Sequence, residues 1–121
     1  MEIVDKRIVE DISTDVVVVG GGAAGVAAAN TISKQNLKVV LIEKYGFCGG
    51  GAVAGLSGTI CGMYEASDKI KNTPSQAVFG FADKFSEVLE KNGGLTEPVA
   101  YGKTFTRVHD PLLWKDTADY F

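Results

Sequence analysis

Four consecutive valines, Val16-Val17-Val18-Val19, make the first strong apolar block of the chain, with Asp15 before it and three glycines directly after. An unbroken β-branched run with nothing polar inside reads as a strand buried on both faces, not as one alternating between core and water. The pattern then changes period. Residues 23–34 hold five alanines, no proline and a single glycine, Gly25, which predicts a helix. Ala29, one turn beyond Gly25 on the same face, keeps that helix close to a sheet. Gln35-Asn36 ends it, with Asn36 in the left-handed position that glycine often fills. Lys38-Val39-Val40-Leu41-Ile42 supplies a second strand. Further on, Thr73-Pro74-Ser75-Gln76 reads as a helix start, with Thr73 as cap, Pro74 at the first helical position and Gln76 closing a capping box. Val78, Phe81, Ala82, Phe85, Val88 and Leu89 then give one apolar face up to about Lys91, and Asn92-Gly93-Gly94 stops the helix. Residues 99–101 and 104–108 predict a hairpin around Gly102-Lys103. Asp110-Pro111 opens a last helix whose face carries Leu113, Trp114, Thr117, Ala118 and Phe121. Ile3-Val4 and Ile8-Val9 suggest a short extended arm beside the sheet.

The strand, helix and strand of residues 15–42 frame the most informative chemistry. Gly20, Gly22 and Gly25 occupy the positions of a G-x-G-x-x-G turn. The first glycine permits the tight turn, the second lets a phosphate approach the backbone, and the third lets helix pack on strand. An anion on this turn meets a helix N-terminus. Glu43 ends the second strand 23 positions after Gly20, near the spacing at which an acid accepts hydrogen bonds from a ribose. A carboxylate there repels a 2′-phosphate, which disfavours NADP and leaves NAD and FAD open. The candidate cofactor-binding residues are therefore Gly20, Gly21, Gly22, Ala23, Ala24, Gly25 and Glu43. Residues 45–55, with Gly49, Gly50 and Gly51, are too rich in glycine for a regular helix or a central strand. A backbone this bare, directly after the acid, is read as a second cofactor contact, with a plain surface loop as the alternative.

Composition narrows the remaining classes. A chain of 121 residues has room for one domain at most, with 15–62 as its candidate cofactor-binding unit. The net charge of −3 and the lack of a basic cluster argue against nucleic acid or an anionic membrane surface as partner. The longest uncharged stretch, 45–64, contains seven glycines, which rules against a membrane span. No signal peptide is evident in residues 1–15, so a cytoplasmic location is expected. Cys48 and Cys61 stand thirteen positions apart, fit no zinc or C-x-x-C spacing, and are read as reduced thiols. A redox or attachment role for Cys48 beside the cofactor loop is the alternative. His109 is the only histidine and no metal site is expected. Arg107 and His109 are read as surface or capping residues, with substrate contact as the alternative.

Residues 15–25, DVVVVGGGAAG, resemble the N-terminal flavin signature of the FAD-dependent oxidoreductases with a glutathione-reductase-like fold of two dinucleotide-binding domains. Proline often stands where this chain has Ala23. Glu43-Lys44 resembles the family's ribose-binding pair, and Cys48-Gly49-Gly50 its glycine pair following the acid. The resemblance implies an α/β, Rossmann-like FAD-binding unit with parallel strands, and hydride or electron transfer through flavin. It adds Lys44 and Gly49 to Gly51 to the cofactor contacts and assigns no catalytic residue. It also implies a further substrate domain and a later FAD-binding segment, and a third parallel strand without which β-edge groups stay uncovered. Two readings follow. The chain is the front part of an FAD-binding oxidoreductase, or it is a truncated or split-gene piece that acts with a complementary chain or without catalysis. An NAD-binding Rossmann module is the remaining alternative. The substrate is a small molecule that the sequence does not name.

Overall fold

In the computed structural model, which describes residues 11–68 and 73–121, the valine run forms β1 (Val16–Val19) and the alanine-rich stretch forms α1 (Ala23–Ser33). The second apolar run forms β2 (Val39–Ile42), parallel to β1 with Val16 opposite Val39 and Val19 opposite Ile42. Polar residues pin the entry to this pair. The Lys38 N–H donates to the Asp15 carboxylate at 2.8 Å, and the Thr14 hydroxyl donates to the Lys38 carbonyl at 2.7 Å. α1 ends with Lys34 as its C-cap, and Asn36, two residues on, takes the expected left-handed conformation at a φ of +59°. The suggested arm at Ile3-Val4 and Ile8-Val9 lies outside the described residues.

The valine run is not buried on both faces. α1 covers one side of the sheet, while Val17, Val19 and Ile42 on the other remain 52%, 81% and 54% exposed. Among the described residues, β1 and β2 pair only with each other, so each also keeps a free edge.

A second, antiparallel sheet has the order β3-β5-β4, formed by Thr59–Ile60, Thr104–Val108 and Val99–Tyr101. The expected hairpin is its β4–β5 part, and the turn uses Gly102 at a φ of +58°. The helix expected from residue 74 begins later, as α2 (Phe81–Lys91). Residues 73–80 instead run beside 63–65: Ala77 N–H donates to the Met63 carbonyl at 2.8 Å, Glu65 N–H donates to the Ser75 carbonyl at 2.8 Å, and Gln76 bridges Tyr64. Gly80, at a φ of +82°, separates this extended segment from the helix. Asp83, not Gln76, then reaches back to accept from the Gly80 N–H at 3.0 Å. The far end follows the sequence closely. Gly93 N–H donates to the Glu90 carbonyl and Gly94 N–H to the Leu89 carbonyl, both at 2.8 Å, which is a Schellman stop.

α3 (Pro111–Tyr120) starts as expected, the Asp110 carboxylate accepting from the N–H groups of Leu112 and Leu113 at 2.7 and 3.1 Å. α2 and α3 join through an aromatic cluster in which Phe85 lies 4.6 Å from Trp114 and 5.9 Å from Phe121, ring centre to ring centre. Leu89, Leu95, Ala118, Val53 and Val26 complete the core, so one apolar cluster joins the helices to the glycine-rich segment. Asn30 on α1 donates to the Phe121 carbonyl at 2.9 Å, which fixes α1 against the end of α3.

Candidate functional site

The β1–α1 turn is held from below and open above. Gly20, at a φ of +98°, donates its N–H to the Ile42 carbonyl at 2.8 Å, and Gly21 donates to the Glu43 carboxylate at 2.6 Å. The first bond into the helix runs from the Val26 N–H to the Gly22 carbonyl at 2.9 Å. Between them, the N–H groups of Gly22, Ala23, Ala24 and Gly25 have no acceptor among the described residues. No side chain caps this helix, and no acidic residue stands in its first turn. The first turn of α1 thus carries no acid of its own, and the Glu43 carboxylate sits on the Gly21 N–H just before it. Gly25 closes the turn. A Cβ on it would fall inside the Gly20 carbonyl oxygen and 3.0 Å from the Gly20 carbonyl carbon.

Glu43 spans two backbone donors. One carboxylate oxygen accepts from Gly21 and the other from the Tyr45 N–H at 3.0 Å. These two N–H groups, Tyr45 first, outweigh the opposing effect of burial and hold the carboxyl below the usual glutamate range. The Lys44 N–H adds a smaller effect in the same direction. Lys44 does not join the turn: it is exposed, with its ammonium 4.8 Å from the centre of the Tyr45 ring.

The glycine-rich segment docks on the turn. Gly49 donates its N–H to the Gly21 carbonyl at 2.8 Å, and residues Gly50–Ala52 make a short 3₁₀ turn. Gly50 approaches so closely that a Cβ on it would stand 2.8 Å from the Gly22 Cα. Gly49 is wedged against Val53 and the Trp114 ring. Gly20 to Gly25, Glu43 and Gly49 to Gly51 therefore form one surface built mainly of backbone.

The structure adds Asp119, which sequence reasoning missed. Its carboxylate accepts from the Cys48 N–H at 2.9 Å across a separation of 71 residues, a pairing that no local spacing encodes. Cys48 lies between two acids. Burial, then the charges of Asp119 and Glu43, push its thiol up, so little nucleophilic thiolate forms. Alkylation of Cys48 by iodoacetamide near pH 8 is expected to run several-fold slower than that of a small free thiol, followed by mass spectrometry of its peptide. An equal rate would mean that neither burial nor the two carboxylates restrain it.

Arg107 and His109 are not surface residues, being only 8% and 5% exposed. β5 turns Arg107 towards α2, where its guanidinium pairs with Glu90 at 2.9 Å. His109 packs on Trp114 with ring centres 4.5 Å apart. Among the described residues, no group of three or more histidine, cysteine or acidic side chains could hold a metal, and no helix is long and apolar enough to cross a membrane.

The family model for FAD dependent oxidoreductases matches residues 15–121. The 3-oxosteroid 1-dehydrogenase of Mycolicibacterium smegmatis is 42% identical over 65 residues, covering 52% of this chain and 11% of the relative. The chloroplastic prolycopene isomerase of Daucus carota is 33% identical over 70 residues, covering 58% of this chain and 10% of the relative. The matched stretches thus span about a tenth of these relatives' lengths. With most of its length matched by the family model, the chain belongs to the FAD dependent oxidoreductase family.

Proposed function

We propose that residues 15–62 hold the adenosine diphosphate half of FAD, within a protein that carries out flavin-linked oxidation or reduction of a small organic molecule. The observation that carries this reading is the set of four N–H groups, from Gly22 to Gly25, left without acceptors among the described residues at the start of α1. Their number and position suit a diphosphate, whose charge the helix end favours. The surface above them fits such a ligand because Gly20 to Gly22 and Gly49 to Gly51 present no side chain to obstruct it. Glu43, partly exposed just after β2, is placed to accept from ribose hydroxyls. When bound, FAD supplies hydride or electron transfer through its isoalloxazine ring. The chain's own part in this reading is to bind and orient the nucleotide.

The uncovered apolar face of Val17, Val19 and Ile42 favours a site completed by further polypeptide, in the same chain or from a complementary one. The family match supports flavin chemistry, while the relatives' names, a dehydrogenase and an isomerase, select no single reaction or substrate. The test is titration of the purified chain with FAD, ADP and FMN, followed by flavin fluorescence and calorimetry. FAD and ADP are expected to bind at one site per chain, and FMN, which lacks the adenosine and the diphosphate, at least about tenfold more weakly. FMN binding as tight as FAD would overturn the reading.

A further inference from the structure

Two neighbouring peptide groups of the glycine segment are tied in different directions. Gly49 donates to the Gly21 carbonyl on the turn, at 2.8 Å, while Cys48 donates to Asp119 on α3, at 2.9 Å. The second Asp119 oxygen is held by Lys115 at 3.1 Å, one helical turn earlier. We infer that Asp119 is a positioning residue for the FAD site, which clamps the Cys48–Gly51 backbone against the phosphate turn and so sets the gap between Gly22 and Gly50. The inference rests on the cofactor reading above, and it assigns α3 a part in binding beyond the packing of Trp114 against Gly49.

Helix stability does not explain an acid at this place. Asp119 stands in the last turn of α3, where a carboxylate meets the negative end of the helix dipole. Burial adds to that opposition, yet the Cys48 N–H and Lys115 together outweigh it and keep the Asp119 carboxyl below its usual range. Lys115 is held in its charged form in turn, by Asp119 first and then by Asp116. The acid is thus maintained as a charged acceptor aimed at one loop amide. The Gly49 bond to Gly21 and the packing of Gly49 on Val53 and Trp114 hold one side of this glycine-rich loop, and the charge-assisted bond from Cys48 to Asp119 holds the other.

The test compares Asp119→Ala and Asp119→Asn in the full chain, reading amide hydrogen exchange at Cys48, FAD affinity and the urea midpoint. In Asp119→Ala, Cys48 exchange is expected to rise and FAD affinity to fall, each by about tenfold or more. In Asp119→Asn the second donor, Lys115, is a flexible side chain that can turn away from the amide NH₂ group, unlike the two backbone donors on Glu43, so the oxygen stays on Cys48. Most of both is therefore expected to recover, which a merely destabilising site would not do. Unchanged Cys48 exchange in Asp119→Ala, unchanged FAD affinity once that amide is freed, or an asparagine variant as impaired as the alanine one would each overturn the inference. If the unmodified chain binds no FAD, the cofactor reading fails by itself, while the exchange measurement still decides whether the clamp exists.

Discussion

Gly25→Ala is expected to remove about 3 kcal/mol or more of stability and to abolish FAD binding. In an ordinary helix the same change would stabilise by about 1 kcal/mol, because alanine is the better helix former. Here the added Cβ lands on the Gly20 carbonyl. That carbonyl has nowhere to go, since Gly20 is itself bonded to Ile42 and already adopts a backbone conformation reserved for glycine. Gly22→Ala is the informative contrast. Its φ of −69° suits any residue, and its Cβ would meet only the Gly50 Cα at 3.9 Å. Stability should therefore stay within about 1 kcal/mol, while the methyl group intrudes where the diphosphate must approach. Urea denaturation and FAD titration of the two variants separate a glycine needed by the fold from one needed by the ligand. A Gly25→Ala protein that unfolds at the same urea concentration as the unmodified chain would refute the assigned packing.

The turn was legible in the sequence because every part of it is local. Val16 to Val19, the three motif glycines, Asn36 and Glu43 lie within 28 consecutive residues, and each has a single conformational or chemical reason to be there. The Schellman stop at Asn92-Gly93-Gly94 and the Asp110 cap were legible on the same grounds. What the sequence concealed depends on distant partners. Thr73-Pro74-Ser75-Gln76 has the composition of a helix start, but residues 63–65 offer its backbone a strand-like partner and Gly80 breaks the run. Tertiary pairing overrides local preference there. The burial of Arg107 follows from Glu90, seventeen residues earlier, and the role of Asp119 from Cys48 on the far side of the chain. The alternation of polar and apolar residues cannot reveal a buried charge whose partner lies on another element. Likewise, the valine run signalled the strand but not its exposure, since Val17 and Val19 face away from α1 and stay open among the described residues.

Glu43→Ala is expected to weaken FAD by about ten- to a hundred-fold, the effect of losing hydrogen bonds to a charged group. Glu43→Gln should be nearly as damaging. The carboxylate accepts from Gly21 on one oxygen and Tyr45 on the other, whereas an amide would turn an N–H₂ group towards one of those donors. The pH dependence has a definite sign. Because the folded carboxyl is held below its ordinary pKa, its contribution is fully present above the unfolded value and is lost as pH falls through the lowered one. FAD affinity should therefore be flat through neutral pH and decline only in acid, below the usual glutamate range. These losses alone do not separate a carboxylate that touches the ribose from one that merely shapes the turn. Discrimination against a 2′-phosphate does, since only a charge facing the ribose can repel it. The unmodified chain should bind ADP more tightly than 2′-phospho-ADP, and Glu43→Ala should narrow that preference even as it weakens both. If the preference survives in the alanine variant, Glu43 acts through Gly21 and Tyr45 alone, and the ribose must be recognised elsewhere.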